Sequence, residues 1–172
     1  MQERKTRRPL RTLLGLAVAA LATSCGDRTA SARRPEAEPR NEGAVRASFD
    51  AWRDGTGSPF NDLLADDARW TIEGNSVASK TYPNKEAFLA EVIRPFNARM
   101  KEPLKPTVRS IYEDGDTVVV LFDARGVARD GQPYVNSYAW FLDFRDGRVV
   151  RASAFFDAIA FNDVWARVSP AK

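Results

Sequence analysis

The fold of this chain is decided by residues 113–156, which read EDGDTVVVLFDARGVARDGQPYVNSYAWFLDFRDGRVVRASAFF. Asp-Gly pairs begin at positions 114, 130 and 146, so they are separated twice by 16 residues. Asp-Gly favours the positive φ angles of tight hairpin turns, and the residues between the pairs are rich in β-branched and aromatic types. The segment therefore predicts a four-stranded antiparallel meander, whose first strand starts after Leu104.

Upstream of the meander the pattern is mainly helical. Val45, Phe49 and Trp52 recur at i, i+4 and i+7, which is the spacing of one helix face. Asn84 can cap a later helix, and Pro95 is expected to end it. The predicted elements are helices over 43–53, 58–64 and 84–95, strands over 68–72 and 77–82, and a last helix after Asp157. Together with the meander they predict one α+β domain over residues 43–168.

The first 24 residues have the features of a bacterial export signal. A basic stretch precedes an apolar run over residues 12–22, which is too short to span a bilayer as a helix. Ala22-Thr23-Ser24-Cys25 follows and resembles a lipobox, although leucine is commoner in the family at the position of Ala22. Cys25 is the single cysteine of the chain, and we predict that it carries lipid and becomes the mature N-terminus. An ordinary secretion signal and a retained anchor are the alternatives.

Residues 25–42 predict a disordered tether between this anchor and the domain, because they carry charge and proline but no large apolar side chain. Gly26 stands where lipoproteins retained in the inner membrane carry aspartate. The resemblance therefore implies a lipid-anchored location in the cell envelope, at the outer membrane and facing the periplasm. The membrane is thus one predicted partner.

The charge balance argues against nucleic acid as a partner. The net charge is +3 and the pI is about 9.2, yet residues 41–169 contain 16 basic and 19 acidic side chains. The positive excess belongs to the leader, whereas nucleic-acid binding needs a basic face on the folded domain. The absence of histidine and the single cysteine exclude a histidine-based triad, a histidine-ligated metal and a cysteine-rich zinc site. We expect neither metal nor cofactor.

Three short segments resemble the NTF2-like superfamily, and within it the SnoaL-like and ketosteroid-isomerase-like proteins. They are LADDARW at 64–70, DGRV at 146–149 and FFD at 155–157, and the order of elements agrees. The resemblance covers about residues 41–167. It implies a cone, in which a curved antiparallel sheet wraps around N-terminal helices and a central pocket. The superfamily includes isomerases, epoxide hydrolases, cyclases, dehydratases and proteins of no known activity, so the fold does not decide the function.

The resemblance supplies two candidate catalytic residues. With residues 65–68 aligned, the base of the ketosteroid isomerases falls at Gly74, next to Glu73. Asp123 matches one aspartate of the limonene-type epoxide hydrolases, whose arginine and second aspartate fall on Leu121 and Ala154. No known catalytic set is complete, and the histidine that scytalone-dehydratase-like members need is absent. Glu73 can also be an exposed carboxylate at a strand end, and Asp123 a surface charge.

Which side chains line the pocket depends on the hairpin turns, because a slip of one residue turns a strand over. At the last turn we favour a three-residue loop over 145–147, with a two-residue turn at 146–147 as the alternative. A two-residue turn at 130–131 places Asp123 opposite Tyr138. The predicted pocket is aromatic with few polar groups, and its ligand-binding candidates are Asn136, Tyr138, Trp140, Phe156 and Asp157. Asp157 can instead cap the last helix, and the aromatic residues can be core.

Three functions are compatible with these observations. In the first, the domain binds a small apolar or amphipathic molecule in its pocket at the cell envelope. In the second, it is an isomerase, dehydratase or hydrolase of the SnoaL type, with a single pocket carboxylate as general base. In the third, the open face of the sheet is an interaction surface, such as a homodimer interface.

Overall fold

The predicted α+β fold is confirmed by a computed structural model, which describes residues 40–171. The predicted signal peptide, Cys25 and most of the predicted tether lie outside the described residues. The predicted order of helices and strands is observed. In chain order the elements are α1 (Arg40–Asp54), α2 (Pro59–Asp62), β1 (Leu64–Ile72), β2 (Thr81–Tyr82), α3 (Lys85–Phe88), a π-helical turn (Leu89–Ile93), α4 (Arg94–Asn97), β3 (Met100–Asp114), β4 (Thr117–Ala128), β5 (Pro133–Arg145), β6 (Arg148–Phe156) and α5 (Ala158–Arg167).

The first helix begins earlier than the sequence pattern predicts. α1 starts at Arg40, so three residues assigned to the end of the tether are helical. The backbone N–H of Glu42 in this first turn donates to a carboxylate oxygen of Glu113 on β3, at 3.0 Å. This long-range bond occupies one of the donors that a helix start leaves unpaired, and hydrophobic periodicity cannot reveal it.

The helix that Asn84 caps does not end at Pro95, and that prediction is wrong. The side chain of Asn84 accepts a hydrogen bond from the N–H of Ala87 at 2.8 Å, as expected of a cap. The helical run then widens into the π-helical turn, where the N–H of Arg94 bonds to the carbonyl of Leu89, five residues back. Proline has no N–H to donate, and a wide turn is one way for a helix to accommodate it. The run therefore continues to Asn97.

Six strands form one curved, open sheet in the order β2-β1-β6-β5-β4-β3. The meander β3–β4–β5–β6 is antiparallel, as predicted. The expectation of a wholly antiparallel sheet is wrong at one pairing, because β1 lies parallel to β6. A long stretch of chain that includes the helical run separates these two strands, and no hairpin forces them into opposite directions.

The last hairpin has a two-residue turn, so the three-residue loop that we favoured is wrong. Arg145 pairs with Arg148, and the turn residues Asp146 and Gly147 have φ angles of 53° and 74°. An irregularity between positions 143 and 144 then shifts the register by one residue. Alternate residues of β5 and β6 consequently share the inner face, as predicted, with Tyr138 opposite Phe156 and Trp140 opposite Ala154.

The hairpin between β4 and β5 has a longer turn than predicted, whereas the last hairpin has a shorter one. The N–H of Ala128 bonds to the carbonyl of Gln132 at 2.9 Å, which leaves a three-residue loop over 129–131 with Gly131 at a φ of 85°. This loop is one residue longer than predicted. Asp123 consequently lies opposite Ser137 and not opposite Tyr138.

Candidate functional site

A cavity of about 480 Å³ lies against the inner face of the sheet. Its walls come from the α1–α2 region, β1, the helical run, the start of β3, strands β5 and β6, and α5. Alternation along the strands turns every second side chain toward this face. Aromatic side chains are the largest group in the wall, and they are Trp52, Phe60, Trp70, Phe88, Phe96, Tyr138, Trp140, Phe156 and Phe161.

The aromatic wall is held by ring-to-ring packing centred on Trp140. Its ring lies edge-on to Trp70, with centroids 5.1 Å apart, and edge-on to Phe122 at 4.8 Å. Trp52 of α1 stacks on it at 6.1 Å with an interplanar angle of 14°. Trp140 is 4 % exposed, so the same residue belongs to the core and to the cavity wall. Such contacts pre-organise an apolar surface.

The mouth of the cavity is identified by the lining residues that are also solvent-exposed. They are Gly55 from the loop after α1, Asn97 at the end of α4, and Lys101, Pro103 and Lys105 at the start of β3. The two lysines are the charged residues among the described lining, which contains no aspartate or glutamate. The cavity is therefore apolar inside and positively charged at its opening.

Asn136 is buried behind this wall and joins β5 to the start of α5. Its Oδ1 accepts a hydrogen bond from the backbone N–H of Asp157 at 2.9 Å, and its Nδ2 donates to the carbonyl of Asp157 at 3.0 Å and to the Tyr134 hydroxyl at 2.8 Å. These partners fix the orientation of the amide. Asn136 does not line the cavity, so the expectation that it faces the pocket is wrong. The hydrogen bonds of its amide go to the backbone of Asp157 and to the Tyr134 hydroxyl.

The Tyr138 hydroxyl ends this chain of hydrogen bonds on the cavity side. It lies 2.9 Å from the hydroxyl of Tyr134, which already accepts from Asn136. If Tyr134 donates its proton to Tyr138, every polar hydrogen up to that point is paired, and the proton of Tyr138 is available to a molecule in the cavity. Burial raises the pKa of the Tyr138 hydroxyl well above its usual value. Tyr138 is therefore suited to donate a hydrogen bond and not to act as a base.

Asp123 lies on the outer face of the sheet, and the expectation that it faces the pocket is wrong. Its side chain is 46 % exposed, accepts a hydrogen bond from Ser137 Oγ at 2.6 Å and lies 3.6 Å from the guanidinium of Arg109. The cause is the longer loop between β4 and β5, which turns Val120, Phe122 and Ala124 inward instead. The surface-charge interpretation of Asp123 is the one that the structure shows.

Glu73 and Asp157 also lie outside the cavity lining. Glu73 directly follows Ile72, which is the last residue of β1 and a lining residue, but Glu73 itself does not line the cavity. Its backbone N–H still bonds to the carbonyl of Ala154 at 2.9 Å. Asp157 is exposed and caps α5, since its carboxylate accepts from the N–H of Ile159 at 2.8 Å. The capping alternative for Asp157 is confirmed.

Of the residues selected from the sequence, the structure brings Tyr138, Trp140 and Phe156 together on the cavity wall. Sequence reasoning missed the contribution of the helical half and the two lysines at the mouth. A signal for the former was present in the apolar residues Phe88, Val92 and Phe96, which recur at helical spacing in and just after the predicted helix over 84–95. No sequence signal places Lys101 and Lys105 at the mouth, because that depends on how β3 lies against the helices.

Two further features bear on the chemistry of residues 40–171. Within this range no helix is long and apolar enough to cross a membrane. Within the same range no group of three or more aspartate, glutamate, cysteine or histidine side chains is arranged to hold a metal ion.

The SnoaL-like domain family matches residues 45–152 of this chain. No curated protein sequence resembles the chain closely enough to count as a relative. The match covers the whole region from α1 into β6, which includes most of the cavity wall.

Several solved structures share the fold. An NTF2-like protein of unknown function from Burkholderia pseudomallei K96243 is 22% identical, with 73% of this chain and 96% of that chain covered and a TM-score of 0.60. TerC, co-crystallised with polyporic acid, is 20% identical, with 74% and 98% covered and a TM-score of 0.60. A protein from Jannaschia sp. CCS1, provisionally named a SnoaL-like polyketide cyclase, is 22% identical, with 78% and 96% covered and a TM-score of 0.55. At these identities the likeness shows the fold alone.

Proposed function

Because this chain belongs to the SnoaL-like domain family, we propose that it is a binding protein of the cell envelope whose cavity takes a small apolar or amphipathic molecule. The observation that carries this proposal is the composition of the cavity wall. It is lined mainly by aromatic and aliphatic side chains, with the Tyr138 hydroxyl among its few polar groups and with no carboxylate or histidine in the described lining. A concave, mostly apolar site of a few hundred Å³ with few polar groups is typical of small-molecule binding.

Binding can be tested with the neutral fluorescent probe N-phenyl-1-naphthylamine. We expect saturable binding to the purified protein, with quenching of the tryptophan fluorescence that arises at the cavity wall. Ala154→Leu places a larger side chain on a lining position that is 2 % exposed. The variant should weaken probe binding at least about tenfold, because the added atoms occupy ligand space.

The matched control is Phe141→Ala, which removes an aromatic ring that is 42 % exposed and does not line the cavity. This variant should bind the probe as the unmodified protein does. Unchanged affinity in Ala154→Leu, or a loss confined to Phe141→Ala, would show that the probe does not enter the cavity. Thermal unfolding of both variants establishes that each is folded at the assay temperature.

The second candidate function is an isomerase, dehydratase or hydrolase activity with a single carboxylate as general base. It is favoured by the Jannaschia structure of the same fold, which carries the provisional name of a polyketide cyclase. Of the two candidates for the base Glu73 is the stronger, since it is half-buried next to the lining residue Ile72, whereas Asp123 lies on the outer face of the sheet. With any substrate that is turned over, Glu73→Gln should lower kcat by about 10²–10⁴-fold and Asp123→Asn should leave it unchanged. Equal rates in Glu73→Gln and the unmodified protein would remove this mechanism.

We place the domain at the membrane because of the leader. Residues 1–24 and Cys25 have the pattern of a lipoprotein signal and its lipidated cysteine. Cys25→Ala should move the protein from the membrane fraction to the soluble fraction. An unmodified Cys25 thiol in the intact mass of protein purified from its own cell envelope would contradict lipid anchoring, and would leave the binding proposal to be judged by the probe experiment.

A further inference from the structure

We propose that the molecule held in the cavity is an anionic amphipath, with an apolar or aromatic body inside and a carboxylate, sulfonate or phosphate group at the mouth beside Lys101 and Lys105. This inference rests on the proposed function of the cavity as a binding site, and it specifies the chemical class of the ligand. It makes the two lysines recognition residues for the charged end.

The charged residues in the described lining of the cavity are all basic. Lys101 and Lys105 line it and are exposed, and the described lining contains no acidic residue. Glu102, which lies between them in the sequence, borders a groove on the outer face of the sheet and not the cavity. Lys105 borders that groove as well. The described lining of the cavity is thus basic, although residues 41–169 hold more acidic than basic side chains.

Neither lysine is neutralised by the part of the chain that the structure describes. Eight of the other fourteen basic side chains within residues 41–171 form ion pairs, as Lys80 does with Glu91 and Arg94 with Glu86. The ion pairs within residues 41–171 include neither Lys101 nor Lys105. Two cationic groups at the open end of an apolar cavity attract an anionic group to that end.

The aromatic interior of the cavity indicates that the rest of the ligand is apolar. From the mouth inward the lining changes to Phe60, Trp70 and Trp140, which have no charged neighbour on the wall. Burying a charged group there without a partner would be costly. The anionic end of an amphipath must therefore stay at the mouth, where the lysines lie, while its apolar body displaces water from the aromatic wall.

A matched pair of probes tests this inference. 8-Anilinonaphthalene-1-sulfonate and N-phenyl-1-naphthylamine share one ring framework and differ by the sulfonate. In Lys101→Gln/Lys105→Gln the affinity for the sulfonate should fall by about 3- to 30-fold, because each exposed ion pair contributes modestly. The affinity for the neutral probe should stay unchanged. Raising the ionic strength should weaken sulfonate binding in the unmodified protein and have little effect in the double variant.

The control variant is Arg69→Gln/Arg145→Gln, which removes the same total charge from exposed positions outside the cavity lining. It should bind both probes as the unmodified protein does. Equal loss of both probes in the lysine variant, or an equal loss of sulfonate binding in the arginine variant, would overturn the inference. Circular dichroism and thermal unfolding of each variant separate misfolding from lost affinity.

The outcomes distinguish this inference from the proposed function. If the neutral probe binds in the cavity and the sulfonate binds with no dependence on the lysines, the anionic class is wrong and the binding function stands. If neither probe binds to the folded protein, both are wrong. A charge reversal, Lys101→Glu/Lys105→Glu, adds a second readout, because it should lower sulfonate affinity further and favour a cationic amphipath such as dodecyltrimethylammonium.

Discussion

Replacing Asn136 by alanine should destabilise the domain without removing the ligand site. Asn136 is 3 % exposed, and its amide makes three hydrogen bonds of 2.8–3.0 Å, two to the backbone of Asp157 and one to Tyr134. The substitution deletes all three and leaves the buried hydroxyl of Tyr134 and the partly buried N–H and carbonyl of Asp157 to find other partners. The residue attaches the start of α5 to β5 near the beginning of that strand, so this junction should loosen.

The size of the effect follows from those contacts. A neutral hydrogen bond contributes about 1 kcal/mol net, and a buried partner left unpaired adds to the loss, so the three bonds together predict a cost of about 2–4 kcal/mol. For a domain of this size such a cost lowers the Tm by roughly 6–12 °C. The affinity for N-phenyl-1-naphthylamine at a temperature where the variant is folded should stay unchanged, because Asn136 does not line the cavity.

Urea and thermal unfolding, followed by circular dichroism, measure the change. Asn61→Ala is the matched control, since Asn61 is exposed and its side chain makes no hydrogen bond with the described residues; its effect should be within about 0.5 kcal/mol. A loss below about 0.5 kcal/mol in Asn136→Ala would refute the assignment of Asn136 as a structural residue. If Asn136→Ala has normal stability but loses affinity for the probe, Asn136 is a ligand-binding residue.

The remaining predictions concern a helix cap, an acid-sensitive carboxylate and the outer face of the sheet. Asp157→Ala should cost about 1 kcal/mol in the free energy of unfolding, because α5 loses its N-cap; an unchanged urea midpoint would contradict the capping role. Burial opposes ionisation of Asp143, but hydrogen bonds from Thr117 and Arg151 outweigh it and lower its pKa. Asp143 therefore stabilises the fold above its unfolded pKa of about 3.9 and loses this contribution at lower pH, so Asp143→Asn should be less stable at pH 7 and approach the unmodified protein below about pH 4 in urea titrations. If the predicted homodimer forms through the outer face, where Phe141 is 42 % exposed, Phe141→Glu should give a monomer by light scattering, whereas a monomeric unmodified protein would contradict it.

The elements that could be predicted from the sequence are those set by neighbours along the chain. The Asp-Gly pairs placed the three hairpins of the meander, since the φ angles of a tight turn are a local property of the residues that form it. Asn84 and Asp157 were recognisable as helix caps for the same reason, because each bonds to an N–H within three residues. The aromatic character of the cavity was also foreseeable, from the alternation of Tyr138 and Trp140 on one strand.

The candidate carboxylates could not be placed in this way. A turn of two and a turn of three residues differ little in local chemistry, but the difference decides which face of a strand is buried. The loop over 129–131 has one residue more than predicted, and Asp123 lies on the outer face as a result. At the last hairpin the turn was also predicted wrongly, yet the irregularity near Phe144 restored the expected face for Trp140.

The sequence by itself therefore determined the class of the domain, the position of its turns and caps, and its resemblance to the SnoaL-like proteins. The class, the turns and the caps follow from short-range preferences and from the hydrophobic period of each segment, whereas the resemblance rests on the segments 64–70, 146–149 and 155–157. The tertiary structure alone decided that Lys101 and Lys105 stand at the mouth of an aromatic cavity, and that Glu73, Asp123 and Asp157 lie outside it. The physical reason is that these placements depend on strand register and on the packing of β3 against the helices, where contacts between residues far apart in the chain outweigh local preference.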